Sequence, residues 1–317
     1  MLVWSRNGRW SVWAAFTVVF VPVVVAPFAV LVAAAFAAEW NGVLPGGLTT
    51  GHVQAALTGL NRASLLVSLQ TAAAAGLLAV LAGTWAAIAL STAPRPLRRV
   101  ADALLHLPVA IPSVVVGLGL LVAFSRPPLL LNGTRWLVLA AHVILVLAFS
   151  YSTVAGALSR LDPSYAQVAA SLGAHPARVL WRIRLPLLLP AMAAAAALAI
   201  ALSMGEVGAT IMVYPPDWRT LPVTVFTLTD RGETFDASAA TLVLLAATLL
   251  LLLVLGRLAR PRATRRFSAS ATNAFLNTTP LSRMRQRPLS GSPSSPESRR
   301  RDTPPLPETL RGNEYQV

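Results

Sequence analysis

Few side chains in this sequence could do chemistry, and the most conspicuous is a carboxylate. Glu206 closes a long apolar run and has Gly205 and Gly208 beside it. An acidic group at membrane depth is costly unless paired or wetted, so function is the default reading of such a residue. Two roles follow. Glu206 lines a translocation path with Ser203, Gly205 and Gly208, or it pairs with an Arg or a backbone N–H at a subunit interface. The two glycines would admit the close approach of a solute or of a partner helix. A proton relay is the weaker alternative, because the one other carboxylate near the apolar runs, Asp102, is peripheral to them.

The remaining reactive types are dispersed. The four histidines, His52, His106, His142 and His175, show neither metal-ligand clustering nor catalytic-triad spacing. His142 lies inside an apolar run, where a lone His reads as a satisfied packing residue. Cysteine is absent, which removes disulfides, thiol chemistry and cysteine metal sites. The chain has no GxxxxGK[ST] phosphate loop, so ATP binding by that route is not expected. No catalytic residue, metal or cofactor is expected.

The elements that must position Glu206 are membrane spans. The 317 residues are 55% hydrophobic and 12% charged, with a mean hydropathy of +0.64, where a soluble domain carries about 25% charged residues. Six apolar runs, 11–37, 64–90, 104–124, 136–158, 185–205 and 237–256, each approach or exceed the roughly 20 residues that cross a bilayer. The first is longer than a signal-peptide core of about 7–15 residues, so a retained anchor is expected. Pro22 and Pro27 interrupt it. In the third run Pro108, Pro112, Gly117 and Gly119 predict a kinked or discontinuous helix, which either lines a cavity or simply packs. Gly76 and Gly83 in the second run favour close helix packing. Polar stretches fill 39–62 and 214–236.

Charge sets the orientation. The net charge is +14, carried entirely by Arg on the basic side, and twelve Arg against four acidic residues fall from Arg257 onward. These Arg sit at the ends of apolar runs without an aromatic–basic pattern, which argues against a nucleic-acid partner. One set of connecting segments holds Arg6, Arg9, Arg95, Arg98, Arg99, Arg160, Arg178, Arg182, Arg184 and the tail. The other holds Arg62, Arg126, Arg135, Arg219 and Arg231, offset by Glu39, Asp217, Asp230, Glu233 and Asp236. The positive-inside rule then places both termini and the 162–186 loop in the cytoplasm. The stretch 259–317, rich in Ser, Pro and Arg, is expected to be a disordered tail.

The loop 162–186 is too ordered in its signals to be a plain connector. Asp162 and Pro163 suit a helix N-cap and first position. Residues 164–172 read as a short helix, Gly173 supplies a left-handed stop, and Pro176 opens a second helix. Leu185-Pro186 is expected to turn the chain into the fifth span, leaving a helix–turn–helix projecting into the cytoplasm. Ala166, Ala169, Ala170 and Gly173 keep one surface small, while Val168 and Leu172 offer apolar anchors.

In spacing this loop resembles the Glu-Ala-Ala loop of the membrane subunits of binding-protein-dependent ATP-binding-cassette (ABC) importers. That pattern, Glu-Ala-Ala, three residues, Gly, nine residues, Ile, one residue, Leu-Pro, is matched by Gln167-Val168-Ala169, Gly173, Ile183 and Leu185-Pro186. The departures are Gln167 and Val168, which keep the helix but remove a charged contact. The segment 205–210 resembles oxyanion importers such as those for molybdate and sulfate. The continuation through 233 looks most like 2-aminoethylphosphonate permeases, and thiamine and ferric-iron permeases share much of the body.

The resemblance implies an all-α polytopic membrane protein with six transmembrane helices and the type I ABC importer permease fold. Residues 1–10 would be a cytoplasmic N-terminus and 11–258 the permease domain. Its implied location is the inner membrane. Its implied partners are a cytoplasmic ABC ATPase dimer docked on 162–186, a second permease subunit and a periplasmic substrate-binding protein, within the lipid bilayer. An ion-coupled secondary transporter is the rival class. The mixed charges of Arg219 and Arg231 with Asp217, Asp230 and Glu233 at the opposite mouth would suit a zwitterionic solute, or the docking of a binding protein.

Overall fold

The computed structural model describes residues 6–42 and 44–258. The tail 259–317, expected to be disordered, lies outside the described residues.

The chain opens with helix α1 (Arg6–Phe20), a π-helical segment (Val21–Val25) and helix α2 (Ala26–Phe36). The prolines expected to interrupt this run do not break it. The Ala26 N–H reaches the Val21 carbonyl five residues back, immediately before Pro27. A proline lacks an N–H and its ring strikes the carbonyl four residues earlier. A wider π turn ahead of it displaces that carbonyl and lets the helix continue.

The polar stretch after α2 is more structured than expected. A two-stranded antiparallel ribbon, β1 (Ala37–Glu39) with β2 (Gly46–Leu48), pairs Ala37 with Leu48 and Glu39 with Gly46. Helix α3 (Gly51–Ala56) follows. The second span, α4 (Gly59–Ser91), begins earlier than its apolar run. Its 33 residues extend for about 50 Å, well beyond a hydrocarbon core of about 30 Å.

The third run is discontinuous. Helices α5 (Arg95–Ala110) and α6 (Ser113–Ala123) meet at a bend of 104°, with Ile111 and Pro112 in extended conformation between them. Arg95, Arg98 and Arg99, expected in a connecting segment, form the first turn of α5 and the start of its second. Helix α7 (Arg135–Leu158) is the fourth span. The 162–186 loop carries α8 (Ser164–Ser171), α9 (Pro176–Val179) and a second π segment (Leu180–Arg184) leading into α10 (Leu185–Met204). After α10 come the short helix α11 (Gly208–Val213), helix α12 (Leu221–Asp230) and the last span, α13 (Thr234–Leu258).

The centre is a three-helix stack of α4, α7 and α10. Small residues allow it, because helices in lipid associate through close packing rather than hydrophobic drive. A Cβ on Gly83 would lie 2.8 Å from the Tyr151 backbone nitrogen, and one on Gly76 would lie 2.7 Å from Ile200 Cγ1. α2, α3 and α12 gather around α13. Polar side chains fasten α12 and the turn before it to α4. Trp218 Nε1 donates to Thr71 Oγ1 at 3.1 Å, Leu221 N–H to Ser68 Oγ at 2.7 Å and Thr224 to Ser64 at 2.9 Å.

Among the described residues five helices are long and apolar enough to cross a membrane, and the bent α5–α6 pair brings the number to six when it is counted as one broken span. The architecture is thus all-α and polytopic, with the ribbon as its one β element among the described residues.

Candidate functional site

The apolar run that ends at Glu206 becomes α10, and the chain then reverses into α11. Six-residue α11 and eleven-residue α6 are each shorter than a bilayer crossing, at about 9 and 16 Å. They pack closely against one another. A Cβ on Gly117 of α6 would sit 2.7 Å from the Ala209 carbonyl oxygen, and one on Gly208 would collide with Ser113 Oγ. Gly208 therefore serves the approach of a helix. Gly205 has nothing closer than 3.9 Å and serves none.

Glu206 is held by the backbone. Its Oε1 accepts the Ala209 N–H at 2.8 Å, satisfying one of the donors that a helix start leaves open. Of the two roles open from the sequence, the backbone pairing is present within the chain itself. Glu206 also borders a cleft of about 260 Å³ whose other polar walls are Ser113, His142 and Ser203. Pro108, Ile111 and Phe149 supply apolar wall. Ser203, Glu206 and the break between α5 and α6 are thus brought together, and the discontinuous helix does line a cavity.

His142 organises the back of the cleft. It is buried, with Nδ1 2.7 Å from Ser203 Oγ and Nε2 2.9 Å from Thr210 Oγ1. The Thr210 hydroxyl in turn donates to the Glu206 carbonyl at 3.4 Å. One arrangement satisfies every group: Ser203 donates to Nδ1, and the Nε2 proton goes to Thr210. A satisfied histidine was expected. Its bridging of α7, α10 and α11 was not, since Ser203 and Thr210 are 61 and 68 residues away.

The 162–186 loop forms a separate site at the other end of α10. Asp162 Oδ1 accepts the Ser164 N–H at 2.8 Å, and that bond holds its carboxyl below the usual range. Gly173 has φ +79°. The Ala174 N–H returns to Ala169 and the Gly173 N–H to Ala170, the paired bonds of a Schellman stop. Tyr165, Val168 and Leu172 stand exposed at helical spacing, Gln167 is exposed, and Ala169 is half-buried.

Contrary to the expectation from sequence, Leu185-Pro186 does not turn the chain. The π segment places the Leu185 N–H on the Leu180 carbonyl, which accommodates Pro186 as in the first span. Pro176–Met204 is therefore one continuous helix. Ile183 and Leu185 are half-buried and Pro186 is exposed along it. The loop is a short helix and a turn planted on the extended end of the fifth span.

Ser91, Leu158, Asp162 and Arg184 line a common cleft at the loop end. At the other end His52 Nδ1 lies 2.7 Å from Asp236 Oδ1, and the Arg135 guanidinium sits 5.7 Å from the Trp218 ring centre. Arg219 lies next to that tryptophan, and its Nε is enclosed without a partner. Among the described residues no group of three or more His, Cys, Asp or Glu is placed to hold a metal ion.

Sequence comparison agrees with this geometry. Residues 79–265 match the family described as binding-protein-dependent transport system inner membrane component. The chain belongs to that family and is an ABC importer permease, a membrane transport subunit. It is 47% identical over 260 residues to a Salmonella paratyphi A protein named "Putative 2-aminoethylphosphonate transport system permease protein PhnV", covering 82% of this chain and 98% of that one. The molybdenum transport system permease ModB of Mycobacterium tuberculosis is 35% identical over 62% of this chain and 78% of its own length. Among solved structures, a bacterial ABC transporter for the acidic polysaccharide alginate superposes with a TM-score of 0.64. It shares 19% identity and covers 81% of this chain and 96% of that one. That likeness supports the type I importer permease fold.

Proposed function

We propose that this permease carries a small phosphonate, 2-aminoethylphosphonate or a close analogue, across the inner membrane. A periplasmic binding protein delivers the solute, and a separate cytoplasmic ATPase dimer drives transport through the 162–186 loop. Two permease subunits, identical or similar, enclose the path, and both termini face the cytoplasm. Ser203 and Glu206 contribute polar wall to the path, and Gly205 and Gly208 flank them. Gln167, Val168, Ala169 and Gly173 form the docking surface, with Ile183, Leu185 and Pro186 joining it to the fifth span.

The observation that carries the substrate is the identity of 47% running through 98% of the Salmonella protein, against 35% over 78% of the molybdenum permease. Support for the coupling role comes from the capped α8, its Schellman stop and its exposed apolar side. The Arg distribution supports the orientation.

The test is uptake by proteoliposomes holding the permease, its ATPase and its binding protein. Labelled 2-aminoethylphosphonate should accumulate only with ATP inside, and excess molybdate should not compete. Uptake of molybdate in its place would assign the chain to the oxyanion importers. Uptake driven by a proton gradient without ATP would assign it to ion-coupled carriers.

A further inference from the structure

α5 is a 16-residue helix in which no residue is buried. Leu97, Val100, Leu104 and Leu107 form one outward stripe, each more than half exposed. Its other side carries Arg98, Asp102 and His106 at intervals of four, which places them in one row. That row faces α7. The Tyr151 hydroxyl donates to Asp102 Oδ1. His106 Nε2 lies 2.7 Å from Ser152 Oγ, while its Nδ1 lies 2.7 Å from the Asp102 carbonyl. Arg98 Nε is 3.9 Å from the second Asp102 oxygen. Half-buried Leu105 adds an apolar contact. The helix is thus fastened to the body mainly by polar side chains, and its far end is the 104° bend at Ile111 and Pro112.

The fastening lies between the two sites already described. Along α7, Tyr151 stands about 14 Å beyond His142 at the cleft and about 10 Å before Leu158 at the loop. The Tyr151 ring is 4% exposed and sits in an apolar cluster with Val80, Ala87, Val154 and Leu188. A phenylalanine would fill that space equally well. Packing therefore explains the ring and leaves the hydroxyl unexplained.

We infer that Tyr151 and Asp102, seconded by His106 and Ser152, are positioning residues that latch α5 to α7 in one state of the transport cycle. Release lets α5 swing about Ile111–Pro112 and draw α6, and with it the wall of the cleft. The inference rests on the proposed coupling of the 162–186 loop to an ATPase. Loop movement would reach the latch through α7.

The test uses the full transporter in proteoliposomes. The chain has no cysteine, so Leu97→Cys with Ser159→Cys takes a spin-label pair reporting the α5 to α7 distance. ATP should shift that distance in the otherwise unaltered chain. Tyr151→Phe should populate the ATP-bound distance without nucleotide, raise ATP hydrolysis in the absence of binding protein at least threefold, and lower solute carried per ATP. Asp102→Ala should do the same, and the double variant should do no more than either alone, as expected for partners in one contact. Tyr151→Phe with unaltered distances and coupling overturns the latch. A transporting complex whose α5 distance ignores ATP also overturns it and leaves the coupling reading standing. Failure of the ATPase to assemble on the unaltered chain overturns both.

Discussion

Glu206 has two functions available to a single carboxyl group, and they separate by substitution. Its Oε1 holds the Ala209 N–H at the start of α11, a bond that a neutral amide oxygen would also make. Its position on the cleft is where charge would act on a passing solute. Glu206→Ala should therefore lower stability by about 1 kcal/mol, the usual effect of losing a helix-start acceptor, and reduce transport as well. Glu206→Gln should restore thermal stability and membrane abundance while transport stays reduced. Full transport by the Gln variant would make Glu206 a purely structural cap. The sequence showed that this acid was out of place but not what it bonds, because a cap three residues ahead depends on the chain reversing after Met204. For His142 the difficulty was distance along the chain. Its type and burial were legible in the apolar run, whereas its partners emerge only once α7, α10 and α11 are assembled.

Single helices and turns were the most legible scale where backbone chemistry dictates the outcome. Asp162 and Gly173 did what their residue types favour, the one accepting the Ser164 N–H and the other taking a left-handed φ, while Pro163, expected at the first helical position, is instead the N-cap of α8. Gly173 needs its left-handed φ, but a Cβ there would meet nothing within 4 Å. Gly173→Ala should thus cost about 1 kcal/mol of backbone strain without any clash, and fray α8 while leaving the spans intact. Hydrogen exchange localised to 164–174 would read this. The Asp162 carboxyl also makes α8 sensitive to pH. Because its folded value lies below the ordinary carboxylate range, its contribution is full above about pH 4 and is lost as pH falls through the folded value. The amides of α8 should lose protection on acidification below that point. Asp162→Asn, which keeps an acceptor and loses the titration, should abolish the change. Pro186 was less legible. Leu-Pro predicts a turn locally, but a π segment absorbs the proline, and nothing in the local sequence distinguishes those outcomes. The same holds for Pro27.

Across the whole molecule, crossing number followed from hydropathy, which the bilayer imposes as solvent, and the discontinuity of the third run from proline placement. The ribbon at 37–48 and the polar seam joining α12 to α4 did not follow, since polar stretches between spans carry no periodic signal strong enough to fix them. The same separation of scales bears on how force reaches the cleft. The loop and the cleft lie at opposite ends of α10, about 30 Å apart, so the loop should be removable without disturbing the cleft. The apolar side chains of α8 and its stop, Tyr165, Val168 and Leu172, point outward, whereas the α4–α7–α10 core lies elsewhere. Deleting 162–184 in favour of a short flexible linker should leave membrane insertion and abundance near those of the intact chain, and should abolish co-purification of the ATPase. Because Gln167 and Val168 replace the charged start of the family pattern, docking in the intact chain should rest on apolar contact. It should weaken little, by less than about twofold, between low and high salt, since screening acts on charge pairs. An ATPase complex that survives the deletion would remove the loop from the coupling mechanism. One that dissociates steeply with salt would move the contact to Arg178, Arg182 and Arg184 on the adjoining helix.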